Sequence, residues 1–426
     1  MADQTFDVAI VGAGLVGSSL ALALRGTGLS IALIEARPPQ ALPHDASWDK
    51  RIYAISPGSA SFLEGLGAWG ELPSERIERI EAMAIFGDDG TARLDFNAYE
   101  AGLGELAYIV ESRELQAILW RQLGTASEVT LFCPGECAAL EMRDEAAHLT
   151  LSDGRTIAAK LIVAADGARS WVRSQAGIEA HDKDYRQLGV VANFATELPH
   201  HGTACQWFQP EGVLAYLPLP GNRISIVWSV QQALANELLQ SSPAELCERV
   251  AQAGKMQLGK LDLITPAVAF PLHLIEPRQL VKSRVALIGD AAHQVHPLAG
   301  QGVNLGFGDA RELAAVLINR GARDVGDGLL LRRFERARRE EILAMALATD
   351  GLQGLFNNAQ PLLGWARNMG LSMTNRFTWV KHQLVKQALN NTREASLRPS
   401  RPLVGLRKGR CEAAGYPPAS PLRGES

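Results

Sequence analysis

A chain of 426 residues, 47% of them hydrophobic and 21% charged, carries enough apolar mass for two or three units or one large α/β domain with an insertion, which excludes a disordered or fibrous protein. Its net charge of −4 is unevenly spread: residues 351–426 hold eleven basic and three acidic side chains, about +8, against about −12 on the body, a pattern that points to an anionic surface as partner. No run approaches the ~20 apolar residues of a membrane span. The start, Met1-Ala2-Asp3-Gln4, lacks signal-peptide features, and five scattered cysteines without CxxC give neither a disulfide framework nor a zinc site. An intracellular, cytoplasmic protein without a metal is expected. Nucleic acid is disfavoured, because aromatic stacking groups do not alternate with the basic residues.

The first element is an apolar strand, Phe6 to Val11, running into Gly12-Ala13-Gly14-Leu15-Val16-Gly17. Helical spacing of Leu15, Leu20, Ala23 and Leu24 follows, closed by Gly26 and Gly28, and Ile31 to Ile34 forms a second strand ending on Glu35. This β-α-β unit with GxGxxG binds a dinucleotide. Gly12 permits the tight turn, Gly14 lets the backbone approach a pyrophosphate at the helix N-terminus, and Gly17 lets helix and strand pack closely. Glu35 accepts from ribose hydroxyls. Further on, Leu161 to Ala165 reads as a strand opening onto Asp166-Gly167. Val213–Leu219 and Ile224–Val230 alternate as antiparallel strands joined by the turn Pro220-Gly221-Asn222-Arg223. Val285 to Ile288 is a strand opening onto Gly289-Asp290, followed by the glycine-rich loop His296 to Gly306 and a helix to about Leu317. Ligands sit at such carboxyl ends of a parallel sheet. Residues 351–393 contain no acid, and Val380, Leu384 and Ala388 recur at helical spacing among basic residues. That suits a basic amphipathic helix at a membrane surface, or an ordinary helix packed on the body with a solvated basic face. Beyond Ser396 the chain is rich in Pro, Gly and Arg, as a disordered tail is.

Four segments together carry a family likeness: GxGxxG with Glu35, the Asp166-Gly167 pair, the Gly289-Asp290 pair, and HPLAGQGVNLGFGD from His296 to Asp309. On these the chain resembles the flavoprotein aromatic hydroxylases of the para-hydroxybenzoate hydroxylase type, and among them the ubiquinone-biosynthesis hydroxylases, over about residues 5–390. Arg51-Ile52-Tyr53-Ala54-Ile55-Ser56 is similar to that family's segment after the second strand. The resemblance implies FAD, reduced by NADH or NADPH, that activates O2 as a flavin C4a-hydroperoxide. One oxygen atom then passes to the ring of a polyprenylated phenol or quinone precursor. The absence of a second GxGxxG agrees with a family that has no separate NAD(P)H domain.

By motif match the resemblance implies that Gly12, Gly14, Gly17 and Glu35 hold the AMP half of FAD. Arg37, Arg51 and Arg113 are weaker candidates for phosphate or ribose. Asp166 serves FAD and NAD(P)H together and is partly structural, while Gly289 and Asp290 meet the ribitol and pyrophosphate region. Pro297, Gly300, Gln301, Gly302, Val303 and Asn304 form the loop beside the isoalloxazine ring. Of these, Pro297, Gly300 and Gln301 are the catalytic candidates, through backbone donors that stabilise anionic flavin, with no acid or base side chain assigned.

The implied fold class is α/β: a Rossmann-like FAD-binding domain with an inserted, mostly antiparallel substrate sheet and a C-terminal helical segment. The expected FAD domain is discontinuous, at 1–75, 105–180 and 280–345. The substrate sheet takes 76–104, including a hairpin near Met83 to Phe96, and 181–279. Basic amphipathic helices take 346–395 and a disordered tail 396–426. A lipid-borne substrate makes contact with the inner membrane face, or with a quinone-synthesis complex, a further expectation. Two alternatives remain: a hydroxylase of another aromatic or polyketide substrate, and a non-catalytic flavin-bound subunit of a quinone-synthesis complex. Of the remaining residues, Trp207 and Trp228 read as core, Cys205 as a buried inert thiol, and His200-His201 as a surface turn. His293 and His296 read as residues fixing loop geometry.

Overall fold

The computed structural model describes residues 4–356 apart from 41–44, 46, 88–91, 101 and 295–301, and apart from the side chains of 348–356. His296, Pro297, Gly300 and Gln301, the basic amphipathic helix expected over 357–395 and the expected tail therefore lie outside the described residues.

Among the described residues, two eight-stranded sheets and a small three-stranded one form the scaffold. The first sheet runs Val281–Lys282, Val285–Leu287, Thr156–Ala164, Gln4–Val11, Ile31–Ile34, Val129–Phe132, with the hairpin Cys137–Met142 and Ala147–Leu151 added on Thr156–Ala164. Its central pairs are parallel, and the register places Val11 beside both Ile34 and Ala164, and Ala164 beside Leu287. The central strands are buried on both faces: Ile31–Ile34 and Val285–Leu287 have no exposed residue, and Val8–Val11 and Leu161–Ala164 have none either, as expected for a sheet covered by helices on both sides. The consequence is positional. Gly12, Glu35, Ala165-Asp166 and Ile288-Gly289 all leave the same sheet edge within one residue of register.

The second sheet is built from 82–97 and 180–277, in the order Leu261–Leu263, Ala180–Thr196, Arg223–Gln231, Gly212–Leu219, Thr203–Gln209, Ala82–Phe86, Arg93–Asn97, with Val268–Pro277 also paired to Ala180–Thr196. All its pairs are antiparallel except Thr203–Gln209 with Ala82–Phe86. The alternating Gly212–Leu219 turns Leu214 and Tyr216 inward onto Trp207, Trp228 and the helix residues Leu246 and Val250. Trp207 and Trp228 are thus core. The predicted turn at Pro220–Asn222 is present, with Gly221 at φ +75.

The small sheet, Ile52–Ile55, Ala107–Glu111, Glu78–Ile80, packs on the second one. Ile80 and Ile109 pack against Ala204 and Leu219 of the second sheet, with Trp48, Ile52 and Ala54 around them. The helix Gly302–Ile318 lies over the glycine helix Leu15–Ala23, and the long helix Gly328–Phe356 runs unbroken through residue 345. No described helix is long and apolar enough to cross a membrane.

One expectation is corrected. His200 is no surface turn residue: it is buried, its Nε2 lies 2.9 Å from the Leu219 carbonyl and 2.6 Å from that of Gly221, and its Nδ1 accepts from Gly202 N–H. The ring ties two turns of the second sheet together.

Candidate active site

The three motif glycines stand in three different physical situations. Gly12 has φ +102, and a Cβ there would lie 2.3 Å from the Ala165 carbonyl oxygen. A Cβ on Gly17 would lie 1.9 Å from the Gly12 carbonyl oxygen, so helix and turn touch directly. Gly14 is the opposite case. Its φ of −67 suits any residue, yet a Cβ would meet no atom within 4 Å. The turn therefore leaves room at the start of the helix Leu15–Ala23, whose first turn has no side-chain cap. Uncapped N–H groups beside open space, at the positive end of a helix dipole, are an anion site. A dinucleotide pyrophosphate fits that cradle.

Glu35 closes the turn from the neighbouring strand. Its carboxylate accepts from Ala13 N–H at 2.8 Å and from Arg37 N–H at 3.2 Å. The Ala13 carbonyl in turn accepts from Ser18 Oγ at 2.9 Å and Gln116 Nε2 at 2.7 Å. Gln116 had no local signal in the sequence; it reaches the turn from the helix Ser112–Leu123. Burial, reinforced by the charge of Glu35, pushes the Cys133 thiol up. The Arg37 side chain is exposed beyond Glu35.

Asp166 spends its carboxylate inside the protein. It accepts from Ser170 Oγ at 2.5 Å and Val172 N–H at 3.0 Å, and so caps the short helix Trp171–Gln175. From that helix Arg173 donates to the Ala291 carbonyl at 2.8 Å, which ties the two predicted motifs together. Gly289 sits at φ +59 against Val16, and half-buried Asp290 makes no hydrogen bond among the described residues. Its charge still reaches Tyr53: burial raises that phenol, Arg51 opposes the rise and Asp290 adds to it. The Arg51 guanidinium lies 5.4 Å from the Tyr53 ring centroid. Arg51, Tyr53 and Asp290 are thus brought together, with Arg51 exposed.

Arg113 is drawn elsewhere. It pairs with buried Glu111 at 3.3 Å and donates to the Ser47 carbonyl, and its N–H reaches Asp49 at 2.9 Å. Glu111 also accepts from Arg76 Nε and from Asp49 N–H, both at 2.5 Å. This network shapes segment 47–51 instead of presenting a free cation. Gly302 and Val303 begin the helix Gly302–Ile318, and a Cβ on Gly302 would meet nothing within 4 Å. The Asn304 side chain is committed: Oδ1 accepts from Ser56 N–H at 2.9 Å, and Nδ2 donates to the Ala54 carbonyl at 2.8 Å. No group of side chains that could hold a metal occurs among the described residues.

Comparison with known proteins adds to this geometry. The family model for the FAD binding domain matches residues 5–347. The chain is 38% identical over 395 residues to 3-demethoxyubiquinol 3-hydroxylase of Escherichia coli, covering 91% of this chain and 100% of that protein. It is 35% identical over 390 residues to ubiquinone hydroxylase UbiL of Rhodospirillum rubrum, covering 91% and 90%. In fold it is similar to the crystal structure of p-nitrophenol 4-monooxygenase PnpA from Pseudomonas putida, with a TM-score of 0.72 at 19% identity over 91% of this chain and 99% of that one.

Proposed function

Because the chain belongs to the FAD-binding-domain family and is an FAD-dependent monooxygenase using NAD(P)H, we propose that its substrate is a polyprenylated phenol or quinone precursor, hydroxylated on the ring in ubiquinone biosynthesis. The observation that carries this reading is the end-to-end likeness to 3-demethoxyubiquinol 3-hydroxylase.

Bound FAD, once reduced, supplies the oxygen-transfer chemistry, and the protein supplies binding, orientation and exclusion of water. On this reading Gly12, Gly14 and Gly17 shape the pyrophosphate cradle, and the open space at Gly14 is where it lies. Glu35, at the end of Ile31–Ile34, accepts from ribose hydroxyls. Asp290, whose carboxylate has no hydrogen-bond partner among the described residues, meets a ribitol hydroxyl, with Arg51 and Tyr53 beside it. Gly302 and Val303 contribute backbone N–H groups, at a helix start that favours negative charge. Asn304 acts through its backbone only, because both ends of its amide are bonded to the strand Ile52–Ile55 and Ser56. We assign Asp166 and Arg113 to holding their loops. Pro297, Gly300 and Gln301 complete the same loop in this proposal. Membrane-surface contact and a quinone-synthesis complex belong to it too, since the substrate is lipid-borne and residues 351–426 carry about +8.

The test is a mass-spectrometric quinone profile of a strain lacking the gene and any redundant hydroxylase. A prenylated ring one oxygen short should accumulate, and purified enzyme should oxidise NAD(P)H in step with formation of the hydroxylated ring. An unchanged quinone profile overturns the substrate.

A further inference from the structure

A buried charged cluster lies behind the Gly289 turn, outside the residues assigned to the cofactor. Asp309, on the helix Gly302–Ile318, is fully buried. One of its oxygens, Oδ2, accepts from Gly289 N–H at 2.9 Å and from His293 Nε2 at 2.6 Å. The other, Oδ1, accepts from Arg338 Nε at 2.8 Å. His293 N–H donates back to the Gly289 carbonyl at 2.9 Å. A single carboxylate oxygen thus grips both ends of the turn that carries Asp290. Arg338 fixes that carboxylate and also donates to the Leu305 carbonyl at 3.1 Å. Its guanidinium lies flat on the helix, 2.8 Å from where a Cβ on Gly308 would be.

The chemistry of the histidine points beyond stability. The carboxylate only accepts, so Nε2 carries the proton. Arg338 is shared between Asp309 and Glu341, and the ring nitrogen left over is Nδ1. That nitrogen is buried and has no hydrogen-bond partner among the described residues. A buried unpartnered nitrogen disfavours the folded state. Stability alone therefore does not account for a histidine here, whereas holding the Asp309 oxygen against the turn does.

We propose that His293, Asp309 and Arg338 form a buried relay of positioning residues that sets Asp290 for the cofactor. The proposal rests on the reading of Asp290 as a cofactor contact. Asp290 itself bonds to nothing described, so its direction is set by the backbone of Gly289 and by Arg173 holding Ala291 from the other side.

The test is a double-mutant cycle on the full-length holoenzyme, with Kd for FAD taken from recovery of flavin fluorescence on dilution. Asp290→Ala and His293→Leu should each weaken FAD binding about tenfold, and the double variant should be no weaker than Asp290→Ala within about threefold. His293→Gln, whose terminal amide can still donate to Asp309, should recover most of the affinity. Losses that multiply to about 100-fold in the double variant overturn the relay and leave the Asp290 reading intact. An unchanged Kd in His293→Leu also overturns the relay. An unchanged Kd in Asp290→Ala overturns the Asp290 reading, and the relay with it. Should His293→Leu fail to fold, Arg338→Lys enters the same cycle: it keeps the charge and loses the planar fork.

Discussion

Replacing Gly14 and Gly17 should separate cofactor binding from folding within one six-residue turn. At Gly14 the backbone suits any residue and a Cβ meets nothing within 4 Å, so Gly14→Val leaves the protein's own packing untouched. The new side chain projects into the space at the helix start. If that space holds the pyrophosphate, its oxygens lose backbone donors. Two hydrogen bonds to a charged group, at ~1.5–3 kcal/mol each, make ~3–6 kcal/mol. That is a loss of roughly 100-fold or more in affinity. At Gly17 a Cβ would lie 1.9 Å from the Gly12 carbonyl oxygen and 3.1 Å from Ala165 Cβ, so Gly17→Ala must push the helix off the turn. Overpacking of this kind costs ~1–3 kcal/mol, or roughly 1–3 °C in Tm for a chain of this length. The assay is flavin-to-protein ratio by absorbance, with Tm of both apoproteins by scanning calorimetry. Gly14→Val should purify without flavin and melt with wild-type apoprotein, while Gly17→Ala should melt early. Stoichiometric flavin in Gly14→Val would refute the placement of the pyrophosphate. An apoprotein Tm as low as that of Gly17→Ala would refute the open space.

Asn304→Leu removes two hydrogen bonds and strands the buried Ser56 N–H, so it should destabilise the protein by about 1–3 kcal/mol, read as a fall in the urea midpoint. Burial alone would raise the Asp309 carboxyl, but His293 and Arg338 hold it below the usual range. Its ionised form therefore adds stability that is complete above the unfolded pKa of about 3.9 and is lost as pH falls through the lower native value. Asp309→Asn should flatten the acid limb of stability against pH in that window and cost about 3–5 kcal/mol at neutral pH. An unchanged acid limb in the variant would remove the linkage. Burial pushes the Cys137 thiol to about 12 and the Cys205 thiol to about 11. At pH 8 their thiolate fractions are then about 10⁻⁴ and 10⁻³, so both should resist alkylation in the native protein and react on denaturation. Prompt native labelling of Cys205, located by peptide mass, would contradict its burial.

Much of the site was legible wherever the signal is local. GxGxxG and Glu35 lie within one β-α-β unit, where chain spacing alone decides geometry, and each glycine meets a distinct constraint. The strands opening onto Asp166 and Asp290 were also readable, because apolar runs ending in polar turns mark a sheet edge. Their lateral order was not. It depends on Thr156–Ala164 lying between Gln4–Val11 and Val285–Leu287, a pairing across more than 100 residues. His200 misled for a related reason. Two adjacent histidines look like solvent-facing polarity, yet the partners of one are carbonyls some twenty residues away. Arg113 looked like a free cation because Glu111 beside it gives no hint of being buried, and a buried carboxylate claims whatever guanidinium is near.

The helix Gly302–Ile318 shows where sequence stops and fold takes over. Every residue from Val303 to Ala310 is buried, so the amide of Asn304 and the carboxylate of Asp309 had to find partners. An uncovered polar group inside an apolar helix is therefore a readable sign that a tertiary contact exists. It does not name the contact, because the partners sit at separations from 16 to 250 residues. The fold names them: Ala54 and Ser56 for Asn304; Gly289, His293 and Arg338 for Asp309. Two of those segments bound the sheet edge, one through Arg51 and Tyr53 and the other through Asp290. The helix's two buried polar side chains thus set the distance between those segments. It follows that a change at Asn304 should disturb Arg51 and Tyr53 while leaving Asp290 in place, and a change at Asp309 should do the reverse. The two can be told apart because only the second should couple to Asp290→Ala in FAD affinity.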